Sequence, residues 1–157
     1  MIFTRTGERR YSVSIDRPGQ TRLVMSPAPG YHPYLPHDIV HLTVEAEAGI
    51  ELGVFGQVAA GGTAGTFWPA DPDQRRKLRK RGDRLAAAGR NDATISERLA
   101  AVAIRGWEKR NGAEPTGDAL TRRIQYRLDE YAALWHALPV GGSLTLQWPV
   151  TTQRKSA

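Results

Sequence analysis

The spacing of hydrophobic residues changes along this chain, and that change constrains the fold more than any other feature. Near the start, Tyr11, Val13 and Ile15 alternate with polar residues, which is the period of a strand with one buried face. Residues 2–5 and 21–26 read as two further strands. Because the connections between the three segments are short, they predict an antiparallel meander over residues 1–26.

Beyond a proline-rich loop at residues 27–36, apolar residues recur every three or four positions, which indicates helices. We predict helices over residues 37–48, 52–60, 72–88, 94–110 and 115–137. The fourth would begin at a capping box formed by Thr94 and Glu97. Its predicted apolar stripe comprises Ile95, Leu99, Val102 and Trp107. The stripe of the fifth comprises Leu120, Ile124, Leu128, Tyr131, Trp135 and Leu138.

Near the C-terminus the period returns to two, with Leu144, Leu146 and Trp148 on one face of a predicted strand. A last strand after several helices most simply returns to the first sheet. We therefore expect an α+β fold in which a small antiparallel sheet, built from residues 1–26 and 143–149, is covered by about four to five helices. The expected organisation is one domain over residues 1–157, helical from 37 to 138, with a frayed tail at 150–157.

Composition excludes several classes of site. The chain has no cysteine, so a disulfide scaffold, a thiolate zinc site, an iron–sulfur cluster and a cysteine nucleophile are ruled out. No apolar run approaches the 18 residues of a membrane-spanning helix, and the N-terminus lacks the apolar core of a signal peptide. These features lead us to expect a cytoplasmic protein.

Three of the four histidines lie within ten residues of one another. His37 and His41 are four residues apart, so on a helix their imidazoles lie one turn apart on one face, and Glu45 continues the row. Pro36 suits the start of this helix and Gly49 its end. Such a row could hold a divalent metal ion through His37 and His41.

The third ligand of such a metal site stays open at this point. It could be Glu45, Asp38 or a residue from elsewhere, such as His32; Asp38 could instead accept a hydrogen bond from an imidazole. Two imidazoles and a carboxylate suit zinc, and also manganese, iron or nickel. A water molecule at the open position would favour hydrolase or lyase chemistry on an unidentified small molecule. Histidines at this spacing also occur by chance, and an aspartate near a helix start is often only a cap.

Two stretches together carry a resemblance. Residues 36–45 read Pro-His-Asp-Ile-Val-His-Leu-Thr-Val-Glu, and residues 53–61 read Gly-Val-Phe-Gly-Gln-Val-Ala-Ala-Gly. This pairing resembles a group of uncharacterised bacterial proteins with a Pro-His-Asp-x-x-His-x-x-x-Glu motif, which implies no established activity. A more distant similarity is to the His-Asp-x-x-His zinc proteins of ubiquinone biosynthesis. Those proteins carry a further glutamate twelve residues after the second histidine, where this chain has Gly53.

The formal charge of +6 is concentrated in one segment. Residues 71–90 contain eight basic and three acidic residues, so they carry +5 of the total. Four of these residues, Arg75, Arg76, Arg79 and Lys80, are candidates for nucleic-acid binding through phosphate contacts. The segment lacks interleaved aromatic residues that would stack on bases, so a solvated helix face is the simpler interpretation. The function alternatives are therefore a metal-binding protein and a binding or interaction module that uses residues 75–84.

Overall fold

A computed structural model describes residues 1–29 and 32–149 of the chain. Its four strands are β1 (Ile2–Gly7), β2 (Arg10–Ile15), β3 (Leu23–Met25) and β4 (Ser143–Thr145). Its five helices are α1 (His37–Ala48), α2 (Val54–Ala59), α3 (Pro72–Ala88), α4 (Arg90–Arg110) and α5 (Ala119–Ala137). The predicted α+β fold is confirmed. The predicted frayed tail at 150–157 lies outside the described residues.

The sheet is antiparallel, and its strand order is β3-β2-β1-β4. The N-terminal meander and the returning C-terminal strand are both as predicted. Phe3 of β1 is opposite Val13 on one side and Leu144 on the other. The alternation of β2 buries Tyr11, Val13 and Ile15 in the core. β4 is shorter than the sequence suggested, although Leu146 just beyond it is buried.

Helix α1 lies at the centre of the molecule, packed against α2, α4 and α5. Both of its predicted ends are confirmed. Pro36 precedes it, and Gly49 ends it in the left-handed conformation with φ 68°. Seven consecutive residues, 39–45, are buried. This part of the helix is therefore covered around its whole circumference, and not only along one apolar stripe. Polar side chains on it must therefore find partners inside the protein.

The predicted starts of α4 and α5 are wrong, and a glycine lies just before each observed start. Helix α4 begins at Arg90, directly after Gly89, and Thr94 lies inside it with its hydroxyl bonded to the Arg90 carbonyl. The predicted capping box is therefore not formed. Gly117, at φ 104°, interrupts the path from residue 115, so α5 begins only at Ala119.

The predicted apolar stripe of α4 is wrong in half of its members. Leu99 and Trp107 pack against the core, but Val102 is 59% exposed and Ile95 is 38% exposed. The buried face instead carries the small residues Ser96, Ala100 and Ala103. Small side chains let α4 approach α1 closely, which brings a serine hydroxyl to the candidate site. The predicted stripe of α5 does face the core.

Candidate functional site on helix α1

The two histidines of α1 meet as their spacing predicts. Their ring centroids are 4.7 Å apart, and the planes are nearly perpendicular at 77°. His37, in the first turn, is half-buried, whereas His41 is only 4% exposed. The two rings therefore adjoin each other, with His37 partly open to solvent and His41 shielded from it.

The carboxylate of Glu45 is fully buried and contacts the start of α2. It accepts hydrogen bonds from the backbone N–H groups of Val54 at 2.7 Å, Phe55 at 2.9 Å and Gly56 at 3.4 Å. These N–H groups begin α2, where no earlier carbonyl is available to them. Glu45 thus ties α1 to α2, although the sequence placed it as a candidate ligand beside His41.

This contact joins two stretches of the sequence, residues 36–45 and residues 53–61. A Cβ atom added at Gly53 would lie 2.3 Å from the carboxyl carbon of Glu45. A Cβ atom at Gly56 would lie 2.1 Å from the carbonyl oxygen of Glu51. Both glycines are required so that the start of α2 can close on a buried carboxylate. Gly53 therefore has a structural role at the start of α2.

Ser96 of α4 joins Glu45 to His41. Its hydroxyl donates to Glu45 Oε1 at 2.7 Å and lies 2.9 Å from Nδ1 of His41. Because the single hydroxyl proton is given to the carboxylate, Nδ1 of His41 must be the donor to the serine oxygen. Nε2 of His41 therefore carries the free lone pair. Sequence reasoning missed Ser96, although its spacing with Ala100 and Ala103 marks a face of small residues.

A second residue of α4 that the sequence did not single out faces the same histidine. Glu97 Oε1 lies 3.6 Å from His41 Nε2, and its side chain is 67% exposed. This carboxylate therefore adjoins the lone pair of His41 from the solvent side.

Electrostatics favour a neutral His41. Burial lowers the pKa of its imidazole, and the neighbouring His37 acts in the same direction, while Glu97 opposes them. Burial raises the pKa of Glu45, and the hydrogen bonds from Ser96 and the three backbone groups oppose that rise. A neutral imidazole with an unprotonated Nε2 is the form that a metal ion or a proton requires.

Asp38 is engaged with the sheet at the start of α1. Its Oδ2 is 2.5 Å from the hydroxyl of Tyr11 on β2, and that hydroxyl also lies 2.9 Å from the carbonyl oxygen of Pro29. Burial raises the pKa of Asp38, against the lowering effects of Tyr11 and His37. Burial also raises the pKa of the Tyr11 hydroxyl well above its usual value. Asp38 thus fastens the start of α1 to the sheet.

His32 does not join the pair on α1. Its Nε2 lies 2.7 Å from Glu108 Oε1, near the far end of α4. Of the residues that the sequence proposed for a metal site, the structure thus brings together His37 and His41 and places Glu45, Asp38 and His32 with other partners. Among residues 1–29 and 32–149, no three histidine, aspartate or glutamate side chains are already gathered around a metal position.

The basic candidates all lie on the exposed helix α3, whose one buried residue is Gly82. Arg75 donates to the Pro69 carbonyl at 2.7 Å, and Arg76 pairs with Asp73 at 3.0 Å. The side chains of Arg79 and Lys80 make no hydrogen bond or ion pair within the part of the chain that the structure describes.

No protein-family model matches this chain, and comparisons with curated proteins and with solved structures find no match. Within the described residues, no helix is both long enough and apolar enough to cross a membrane.

Proposed function

We propose that the His37–His41 face of α1 binds a divalent metal ion, zinc being the first candidate, with Glu97 as the carboxylate ligand. The observation that supports this most is the chain from Glu45 through Ser96 to His41. A hydrogen-bonded partner on one imidazole nitrogen is the usual support of a histidine ligand, because it fixes the tautomer and the ring orientation. Here it leaves Nε2 of His41 as the lone pair beside Glu97.

The distances are compatible with a shared ion. Zinc binds imidazole nitrogen and carboxylate oxygen at roughly 2.0–2.2 Å, so two ligands of a tetrahedral site are about 3.4 Å apart. The separation of His41 Nε2 and Glu97 Oε1 is 3.6 Å. The exposed side chain of Glu97 can adjust at little cost, whereas the buried Glu45 cannot. Completion of the site requires the half-buried His37 to turn its lone pair toward the same point.

Two imidazoles and one carboxylate would leave a tetrahedral position for water. Zinc lowers the pKa of bound water to about 7, which supplies a hydroxide for metal-assisted hydrolysis or lyase chemistry. The proposed function is therefore metal binding first, and catalysis on a small molecule through that open position second.

Titration of the metal-free, untagged protein with Co²⁺ and Zn²⁺ tests the proposal. We expect one equivalent to bind, with the Co²⁺ absorption of a site that contains imidazole. His41→Gln should abolish this site, and Glu97→Gln should weaken it by at least about tenfold, since even residues outside the ligand shell contribute 10- to 100-fold. Ser96→Ala should weaken it without removing it.

His136→Gln is the matched control, because it removes an exposed histidine on α5 and should leave the metal titration unchanged. Since the Glu97 side chain is exposed, Glu97→Gln keeps the test informative even if the buried His41 variant does not fold. Equal affinity in wild type, Glu97→Gln and Ser96→Ala would contradict the proposed ligand set. Failure to bind either metal at millimolar concentration would contradict metal binding.

A second candidate is nucleic-acid binding through α3, favoured by the exposed and unpaired Arg79 and Lys80. Neutralising Arg75, Arg76, Arg79 and Lys80 would remove up to four phosphate contacts. The slope of log affinity against log salt for duplex DNA should then fall by up to about 3.6, at about 0.9 per contact. The weakening should be similar for all sequences, because no base-reading element accompanies the charges.

A control with the same loss of charge distinguishes α3 from general basicity. It replaces four exposed basic residues elsewhere by glutamine, namely Arg10, Arg98, Arg105 and Lys109. An equal fall in slope for both variants would contradict a specific role for α3. Wild-type binding no tighter than about 10⁻⁴ M at physiological salt would exclude it.

A further inference from the structure

A separate cavity of about 290 Å³ lies where the proline-rich loop meets the C-terminal end of α4 and the middle of α5. It is lined by Tyr34, Trp107, Glu108, Asn111, Gly112 and Asp129. Trp107 follows Glu97 by ten residues, which is roughly 15 Å along a helix. The cavity therefore belongs neither to the histidine pair of α1 nor to the basic helix α3.

Two aromatic side chains form its wall. The ring centroids of Tyr34 and Trp107 are 5.9 Å apart, and the two ring planes are nearly perpendicular at 89°. The ring centroid of His32 lies 5.6 Å from that of Tyr34 and 6.4 Å from that of Trp107. Tyr34 is 54% exposed, yet it is held by these contacts and by a loop that contains Pro33 and Pro36. An exposed tyrosine fixed in an aromatic cluster presents ring surface at a small cost in conformational entropy.

The orientation of Trp107 is set from α5. Its indole N–H donates to Asp129 Oδ1 at 2.8 Å, and Arg110 donates to the same oxygen at 2.5 Å. The charge of Asp129 is therefore balanced by Arg110, whose side chain is 8% exposed. The indole is therefore supported by an ion pair whose arginine is buried and whose aspartate is partly exposed.

Glu108 supplies the negative charge of the cavity that Arg110 does not balance. His32 Nδ1 accepts the backbone N–H of Tyr34 at 3.3 Å, so the proton of a neutral imidazole is on Nε2, which lies 2.7 Å from Glu108 Oε1. A neutral His32 orients the glutamate without cancelling its charge. None of the six lining residues is basic, so the cavity combines aromatic surface with one uncompensated negative charge.

We propose that this cavity binds an alkylated ammonium ion, either a small quaternary amine or the methylated end of a larger molecule. Aromatic faces attract cations through the ring quadrupole, and a nearby carboxylate adds Coulomb attraction. A methylated ammonium suits this wall better than a primary amine because it is weakly hydrated and needs no hydrogen-bond acceptor. One oxygen of each lining carboxylate is already occupied by His32 or by Trp107 and Arg110. The size of the cavity restricts the ligand to a small group.

The experiment compares choline with 3,3-dimethyl-1-butanol, which has the same shape without the charge, by isothermal titration against the whole chain. We expect choline to bind at least about tenfold more tightly than the neutral alcohol. Tyr34→Leu should weaken choline binding roughly 3- to 30-fold, the range of a cation–π contact. Glu108→Gln should weaken choline binding and leave the alcohol unaffected.

Tyr126→Leu is the matched control, because Tyr126 is a comparably exposed tyrosine on α5, 51% exposed and outside the cavity lining. Choline affinity should not change in that variant. Equal affinities for choline and the alcohol would show that the cavity binds by apolar contact alone and would overturn the proposal. No heat of binding with choline at 50 mM, or equal losses in Tyr34→Leu and Tyr126→Leu, would overturn it as well.

Discussion

Helices α1 and α3 both carry closely spaced polar side chains, but α1 lies inside the core and α3 lies on the surface. In α1, Asp38, His41 and Glu45 each have a specific partner on another element. In α3, Arg79 and Lys80 have none within the described residues. The comparison shows that burial forces polar side chains to commit to partners, whereas exposure leaves them available to a ligand. Four predictions test how far this contrast holds.

The largest effect should come from removing the charge of the buried carboxylate. Glu45→Gln replaces one acceptor oxygen by an NH₂ group that faces the N–H groups at the start of α2, so the free energy of unfolding should fall by about 3 kcal/mol. The same change on the exposed helix, Asp83→Asn, should alter it by no more than about 0.5 kcal/mol. Urea denaturation measures both. Similar losses would show that α1 and α3 do not differ as described.

Gly53→Ala should have the next largest effect, a loss of about 1–3 kcal/mol, because the new methyl group overlaps the Glu45 carboxylate. Shortening that side chain makes room for the methyl group. The double variant Gly53→Ala with Glu45→Asp should therefore lose less stability than the sum of the two single variants. Strict additivity in denaturant titrations would contradict the steric explanation.

The buried histidine should make stability sensitive to pH. Because the pKa of His41 is lowered in the folded protein, the unfolded chain takes up a proton at about pH 6.5 while the folded chain does not. Stability should consequently fall as the pH drops below 6.5, by up to about 1.4 kcal/mol per pH unit. Thermal unfolding with a chelator present, at pH 7.5 and 5.5, should show a smaller fall in His41→Gln. An equal fall in both proteins would assign the effect to other groups.

The smallest effect should come from the basic helix. Replacing Arg79 and Lys80 by glutamine removes no side-chain hydrogen bond or ion pair among the described residues, so the free energy of unfolding should change by less than about 0.5 kcal/mol. A loss above 1 kcal/mol would show that these charges stabilise the fold and are not simply available to a partner. The measurement is again urea denaturation, at low and moderate salt.

Much of the fold was accessible from local patterns. The ends of α1 follow from Pro36 and Gly49, and the strand β2 follows from strict alternation, because these signals act within a few residues. The starts of α4 and α5 were not accessible in the same way. Thr94 satisfies the capping-box pattern, but the helix begins about one turn earlier, after Gly89, and a pattern alone does not reveal which start packs better.

The candidate site was predictable only in part. The sequence by itself determined that His37 and His41 share a face, because helix geometry sets that spacing, and that the basic residues share one segment. Only the tertiary structure decided the roles of Glu45, Asp38 and His32, and only it brought Ser96 and Glu97 to His41. The physical reason is that a buried polar group must be satisfied by whichever donor or acceptor the packing brings to it. For Glu45 those partners are the start of α2 and a serine 51 residues away, and no spacing along the chain specifies that encounter.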